Sequence, residues 1–317
     1  MNTAKNTLKI IILLLLPMQF SMVQAAEVRD YPADKVSAHV YVIHGPLGEP
    51  SVENQGFMNN PAFVVRPEGV VVIDPGSSLQ AGEMVLRQIK KVTKAPVTHV
   101  LNTHVHGDHW LGNQAFRNQW PKVKIYGHPE MIKKSKAGED IFWIGLMERA
   151  TNGFTKGTVA VIPESEATDS MQLSLNGLNY KIFAPEKAHS GTDIMVEIVE
   201  DSIIFLGDNV TYKRIARMDD GSFKGNINAC EVALNTGVKL YVPGHGPTAG
   251  TEVVDSFKTY LETVYAQVQE LYDEGLQDYE MKPMLQETLA EYHDWNGFED
   301  AIGKHISLAI LEIEADF

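Results

Sequence analysis

The chain has 317 residues, 44% of them hydrophobic, and a formal net charge of −14. That apolar fraction supports a packed core and excludes a disordered chain. The acidic balance excludes a nucleic-acid binder, which needs basic stripes. The single cysteine, Cys230, excludes an internal disulfide, so core packing or bound metal must hold the fold.

Residues 1–25 read as a secretory signal. Lys5 and Lys9 give a positive start, Ile10 to Leu16 is a short aliphatic run, and Val23-Gln24-Ala25 offers a small-residue cleavage site. Export to the periplasm or medium is expected, with no transmembrane segment left after cleavage, because no later stretch has the ~18 apolar residues a spanning helix needs. Residues 26–250 then form one main domain and 251–317 a helical extension packed on it.

Short apolar runs predict strands at Val40–Ile43, Ala62–Val65 and Val70–Ile73, the last two joined as a hairpin by Pro67-Glu68-Gly69. Helical spacing predicts a helix over Leu79–Val92, and Val97–Leu101 is a strand that runs into a polar loop. Val123–Tyr126 is a further strand and Ile141–Met147 a helix. A second set of strands follows at Met171–Leu175, Tyr180–Phe183, Ile194–Val199, Ile203–Leu206 and Leu240–Val242, with Asn176-Gly177 as a hairpin turn. Three amphipathic helices are expected near 253–274, 283–293 and 299–315. Two halves with this plan fit an α/β fold of two sheets packed face to face, with helices outside.

The loop after Val97–Leu101 carries the chemistry. Thr103-His104-Val105-His106-Gly107-Asp108-His109-Trp110 holds three histidines and an aspartate within six residues, at the end of a strand that can hold them rigidly. His104 and His106 are two apart and face one way in an extended chain, so one ion can take them; a second can take Asp108 and His109. Imidazole and carboxylate suit zinc, and iron or manganese also accept them. Three later positions follow strands and can complete the ligand set: His189, Asp208 and His245.

With its His104-x-His106-x-Asp108-His109 motif and these three later positions in order, the sequence resembles the metallo-β-lactamase superfamily. The resemblance implies a four-layer αββα sandwich and two zinc ions per chain. It implies one metal on His104, His106 and His189, a second on Asp108, His109 and His245, and Asp208 bridging them. Asp74, in Val72-Ile73-Asp74-Pro75-Gly76, matches a position that supports the ligands from behind. Asp208 stands where many zinc β-lactamases have a cysteine, which points toward glyoxalase II, the lactonases and related hydrolases. His106, where di-iron relatives carry glutamate, favours hydrolysis.

The implied reaction is hydrolysis of an ester, thioester, lactone or lactam, with Asp108 orienting the attacking water and accepting its proton. The other readings are a β-lactamase proper, a single-iron persulfide dioxygenase and a non-catalytic metal-binding module. Trp110, Phe142 and Trp143, with Met147, are expected to wall a pocket for a small-molecule substrate. Residues 251–317 hold sixteen acids, three lysines and no arginine, which disfavours an anionic thioester. Phe298, Ile302, Ile306, Ile310 and Ile313 recur at helical spacing and serve either the monomer's core or a homodimer face.

Overall fold

The structure, a computed structural model, describes residues 27–315; the expected signal lies outside them. One sheet has seven strands in sequence order: β1 (Asp34–Lys35), β2 (Val40–Val42), β3 (Ala62–Arg66), β4 (Gly69–Ile73), β5 (Val97–Leu101), β6 (Lys124–Gly127) and β7 (Ser165–Glu166). The other has five: β8 (Gln172–Leu175), β9 (Leu178–Phe183), β10 (Met195–Ile198), β11 (Ile203–Phe205) and β12 (Leu240–Val242). The helices are α1 (Leu79–Val92), α2 (Gly107–Trp110), α3 (Asn113–Gln119), α4 (Pro129–Lys134), α5 (Asp140–Ala150), α6 (Phe223–Asn235), α7 (Glu252–Asp273), α8 (Asp278–Thr288) and α9 (Phe298–Ala315).

The alternation of strand side chains builds the layers. Val64, Val71 and Ile73 of the first sheet meet Tyr180, Ile182, Val196 and Phe205 of the second in one core between the sheets. Phe63, Val70 and Val72 point the other way, onto Met84, Val85 and Ile89 of α1 and Phe116 of α3. Met195, Ile204 and Tyr241 turn outward from the second sheet, onto Ala229 and Cys230 of α6 and Phe257 and Tyr260 of α7. Strands buried on both faces read as continuous apolar runs, as these do. The result is the expected αββα sandwich. The isoleucines of α9 divide: Ile302, Ile306 and Ile313 are buried in this core and Ile310 is partly buried against it.

Pairing direction positions the site. β4, β5 and β6 run parallel, and so do β11 and β12. Parallel neighbours end at the same edge of a sheet, where ligands collect in α/β folds. Asp74, the histidine loop, Asp208 and His245 therefore all emerge at strand C-termini.

The sequence reading missed α6. Its segment carries Gly225, Asn226 and Asn228, and it buries small residues such as Ala229 and Ala233, so no strong apolar stripe marks it. The helix expected at 283–293 is α8 ending at Thr288, followed by a short turn at Ala290–Tyr292.

His305 of α9 ties the helical layer to the loop after β11. Its Nε2 lies 3.0 Å from the Ala216 carbonyl and its Nδ1 2.8 Å from the Tyr260 hydroxyl. Burial pushes the imidazole from the ordinary 6.5 down to about 4. Above pH 6.5 both folded and unfolded chains hold it neutral, so its contribution is complete. As pH falls from 6.5 to 4 the unfolded chain gains a proton that the folded chain refuses, and stability falls by about 3 kcal/mol. His305→Gln keeps a donor for Ala216 and removes the titration. Urea unfolding should therefore show a stability difference between wild type and variant that shifts by about 3 kcal/mol between pH 7 and pH 4, in the variant's favour.

Candidate metal centre

The seven expected ligands converge. His104, His106 and His189 form one group, His104, His109 and Asp208 a second, and Asp108, His109 and His245 a third, each with its ligand atoms within 4.8 Å of one another. All seven residues are buried.

The contacts inside the group are those of ligand atoms aimed at a common space. His106 Nδ1 and His189 Nε2 lie 2.9 Å apart. His109 Nε2 stands 3.2 Å from a carboxylate oxygen of both Asp108 and Asp208. His245 Nε2 stands 3.1 Å from Asp108 and 3.3 Å from Asp208. His104 Nε2, His109 Nε2, His245 Nε2 and Asp208 Oδ1 are all buried without a hydrogen bond. Buried polar atoms are nearly always satisfied, so four orphans pointing into one space fit bound cations. The donor set is one that zinc accepts.

Protonation states fall into two groups: four ligands stand in the metal-binding form, while neighbouring carboxylates, against burial, draw His109 and His245 toward protonation. Burial alone would raise the Asp108 and Asp208 carboxyls, but His109 and His245 beside them hold both well below the usual carboxylate range. Burial and neighbouring imidazoles push His104 well down, and burial takes His189 to about 3. Those four groups are thus in the form a metal requires. Burial works against a proton on His109, yet Asp108, Asp208 and Asp74 draw one there strongly. Between the two carboxylates the protein favours a positive charge.

Four of the five imidazoles are oriented from behind, while His189 Nδ1 is buried without a partner. Asp74 follows β4 with a left-handed φ of 49°, a conformation that costs a non-glycine residue about 1–2 kcal/mol. Its carboxylate accepts from Thr103 N at 2.8 Å and Thr103 Oγ1 at 2.6 Å, and it meets His109 Nδ1 at 2.8 Å. Thr103 Oγ1 in turn lies 3.1 Å from His104 Nδ1. His106 Nε2 faces Asp220 at 3.3 Å, and His245 Nδ1 meets the Met58 carbonyl at 2.9 Å. Asn60 Nδ2 donates to the carbonyls of Pro243 and Gly246, at 2.9 and 2.7 Å, and so clamps the His245 loop. Gly207, with φ 53°, allows a close approach to Thr103, and a Cβ at Gly244 would strike Asp208 Oδ1.

Five of the seven, His106, Asp108, His189, Asp208 and His245, line a cleft with about 60 Å³ of space open to water. Its walls are Glu49, Pro50 and Met58 on one side, Trp143, Leu146 and Met147 of α5 on another, and Arg214, Ala216 and Arg217 on a third. Trp143 packs on His106 with ring centroids 4.8 Å apart, and the Arg217 guanidinium lies 5.9 Å from the centre of the Trp143 ring.

Two expected wall residues are elsewhere. Trp110 is fully buried beside Leu111 and Met131, with Nε1 donating to the Val105 carbonyl at 2.7 Å. It closes α2 and supports the loop from below. Phe142 is half-exposed and is absent from the cleft wall, because helical periodicity turns it away from the face shared by Trp143, Leu146 and Met147. Arg214, Arg217 and Glu49 were missed; the one sequence signal was the placement of two of only seven arginines just after Asp208.

Removing the Asp74 carboxylate should loosen His109, His104 and the Thr103 backbone together. Asp74→Ala is expected to weaken metal binding about 10–100-fold, read by competition with a chromophoric chelator, with a smaller loss for Asp74→Asn. Unchanged affinity would show that the ligands are held without it.

The profile of the metallo-beta-lactamase superfamily matches residues 55–245 of the chain, more than half of it. A type 2 metallo-beta-lactamase of Bacteroides fragilis is 23% identical over 80% of this chain and 94% of its own. A hydroxyacylglutathione hydrolase of Nostoc is 41% identical over 18% of this chain, and a linear primary-alkylsulfatase of Pseudomonas is 30% identical over 22%. Those matches span only 20% and 14% of the two relatives' lengths. Among solved structures, a metallo-beta-lactamase from Pontibacter korlensis overlays with a TM-score of 0.60 at 19% identity, over 74% of this chain and 99% of that one. The mono-zinc form of the metallo-beta-lactamase FIM-1 from Pseudomonas aeruginosa overlays at 0.57 and 18% identity, over 74% and 96%. These overlays speak for the fold. With its ligand motif inside the matched segment, the chain belongs to the metallo-beta-lactamase superfamily.

Proposed function

We propose that the protein is a dinuclear zinc hydrolase that opens an ester, thioester, lactone or lactam bond in a small-molecule substrate. The observation that carries this is the convergence of seven buried ligand groups, five of which line an open cleft. A site built only to store or display metal has no need of that opening.

A pair of divalent ions in such a site supplies Lewis acidity and brings the pKa of water from ~15.7 toward neutrality. The protein's own groups do the rest. His104, His106 and His189 would hold one ion, and Asp108, His109 and His245 the other, with Asp208 reaching both. Asp108 is ionised and lies at the cleft wall, so it can orient the attacking water and take its proton. Trp143, Leu146 and Met147 give an apolar wall that shields the reacting carbonyl from bulk water. No serine or cysteine nucleophile is required, and Cys230 is buried in the helical core. The first 25 residues support an exported setting for this activity, and no described helix is long and apolar enough to cross a membrane.

The purified protein should carry about two zinc per chain and hydrolyse at least one of a panel of lactones, thioesters and a chromogenic cephalosporin. Chelation should abolish that turnover, and zinc should restore it. One iron per chain with no hydrolysis would move the reading to sulfur oxidation. A folded protein that binds no metal would remove the ligand assignment.

Asp108→Ala should lower kcat about 10²–10⁴-fold, the range for loss of a general base, while the His104, His106 and His189 group still binds one ion. Full kcat in this variant would overturn the role of Asp108.

A further inference from the structure

The cleft over the ligands is narrow. Its space open to water is about 60 Å³. One water in the liquid takes ~30 Å³, and sites for drug-sized ligands have ~300 Å³ or more. Ions held by the ligands would take part of that room. The side chains that wall it show almost no surface: Met58 and Trp143 are each 5% exposed and Met147 is 1% exposed. We propose that Trp143 sets the width of this cleft and restricts the reaction to substrates whose reacting carbonyl carries a short, unbranched substituent. The proposal rests on the hydrolase reading and adds the size class of the substrate.

Trp143 is held on four sides. Its backbone presses on the ligand motif: a Cβ added at Gly107 would stand 2.7 Å from Trp143 Cβ, well inside the ~3.5 Å at which carbon atoms pack. The glycine between His106 and Asp108 is what lets α5 come so near. The indole packs on His106 with ring centroids 4.8 Å apart. Its Nε1 donates to Glu139 Oε1 at 3.1 Å, directly before α5. From the loop after β11, the Arg217 guanidinium lies 5.9 Å from the ring centre, and Arg217 Nε donates to Asp219 Oδ2 at 2.6 Å. The ring is thus fixed between a ligand and a tethered cation.

A wall held in this way selects by resistance. The reacting carbonyl must reach the ligand groups, so a branch on the carbon next to it lies inside the cleft whichever way the rest of the substrate runs. That branch meets the walls formed by Trp143 and Met58. Making room means moving side chains packed at interior density, which costs far more than a linear group that follows the apolar wall outward. Phe142, one residue earlier, is half-exposed and off the wall, so it has no part in this limit.

The test uses the full-length, zinc-loaded chain and three alkyl hydroxamates, which chelate zinc and are not turned over. Calorimetry should give acetohydroxamate and butyrohydroxamate a Kd at least about tenfold below pivalohydroxamate, the branched member. Trp143→Leu, smaller but still apolar, should erase most of that ratio. Trp143→Phe should fall between, and Phe142→Leu should leave it unchanged. Zinc content equal to wild type shows that each variant keeps its centre. Arg217→Ala frees the ring from outside and should lower the ratio even if Trp143→Leu does not fold. The proposal is overturned if pivalohydroxamate binds as tightly as acetohydroxamate to the wild type, if the Trp143 and Arg217 variants leave the ratio unmoved, or if no hydroxamate binds. Turnover of acetyl and pivaloyl esters of one chromogenic alcohol, followed on the same protein, separates the two readings. Graded hydroxamate binding without turnover would remove the hydrolase and keep the width limit; equal turnover of both esters with ungraded binding would do the reverse.

Discussion

Two carboxylates and five imidazoles are buried against one another, and the rest of the molecule is arranged around that constraint. Asp108 and Asp208 lie within hydrogen-bonding range of the His109 and His245 rings but make poor hydrogen bonds with them, and several ring nitrogens have no partner at all. Such a cluster is costly to desolvate, and a cation in the common space would offset that cost. The electrostatics show this from within. Carboxylates on three sides overcome burial and draw a proton onto His109, so the protein puts positive charge where an ion belongs.

A cluster under that strain needs a frame that does not yield. The parallel pairs β4–β5 and β11–β12 provide it: the first brings Asp74 behind the histidine loop, and the second brings Asp208 beside His245. The second level is the set of residues behind the rings. Asp74 joins Thr103 and His109, and through Thr103 it reaches His104; Asn60 joins the segment before β3 to the His245 loop. A displaced ring costs affinity well beyond the loss of one hydrogen bond, since coordination geometry is shared by all ligands of an ion. The left-handed backbone at Asp74 fits this logic: a local conformational cost is accepted where it aims one carboxylate at three groups.

Much of this was legible in the sequence for a physical reason. A strand buried on both faces is a continuous apolar run, and polar ligands placed directly after it stand out, which is why His104 to His109 could be read at once. His189, Asp208 and His245 carried no such local signal, and only their order after the motif selected them. Side-chain direction was not legible. Trp110 adjoins the ligands in sequence and yet points into the core, and Phe142 is turned away by one helical step from Trp143. The outer partners Asn60, Asp220 and Arg214, whose Nη1 lies 3.0 Å from His245 Nδ1, were also hidden. Their importance comes from contacts 114 to 186 residues distant or from a loop whose course is set elsewhere. Helix α6 escaped because, after Phe223, its buried side chains are small or polar.

That loop, from Thr211 to Gly221, shows how the fold divides its tasks. The ligands belong to the sheets and their edges, whereas Arg214, Arg217 and Asp220 belong to a connection with little secondary structure of its own. Left alone, such a segment would be mobile and its backbone groups would turn to water. Here Ile215 and Ala216 are instead satisfied from the chain around α9, and Glu312 of α9 accepts from Ser222 and Phe223 where the loop enters α6. The carboxy-terminal helices therefore do more than cover the outer face of the second sheet. They also fix, through the His305 contact with Ala216, one wall of the cleft over the ligands.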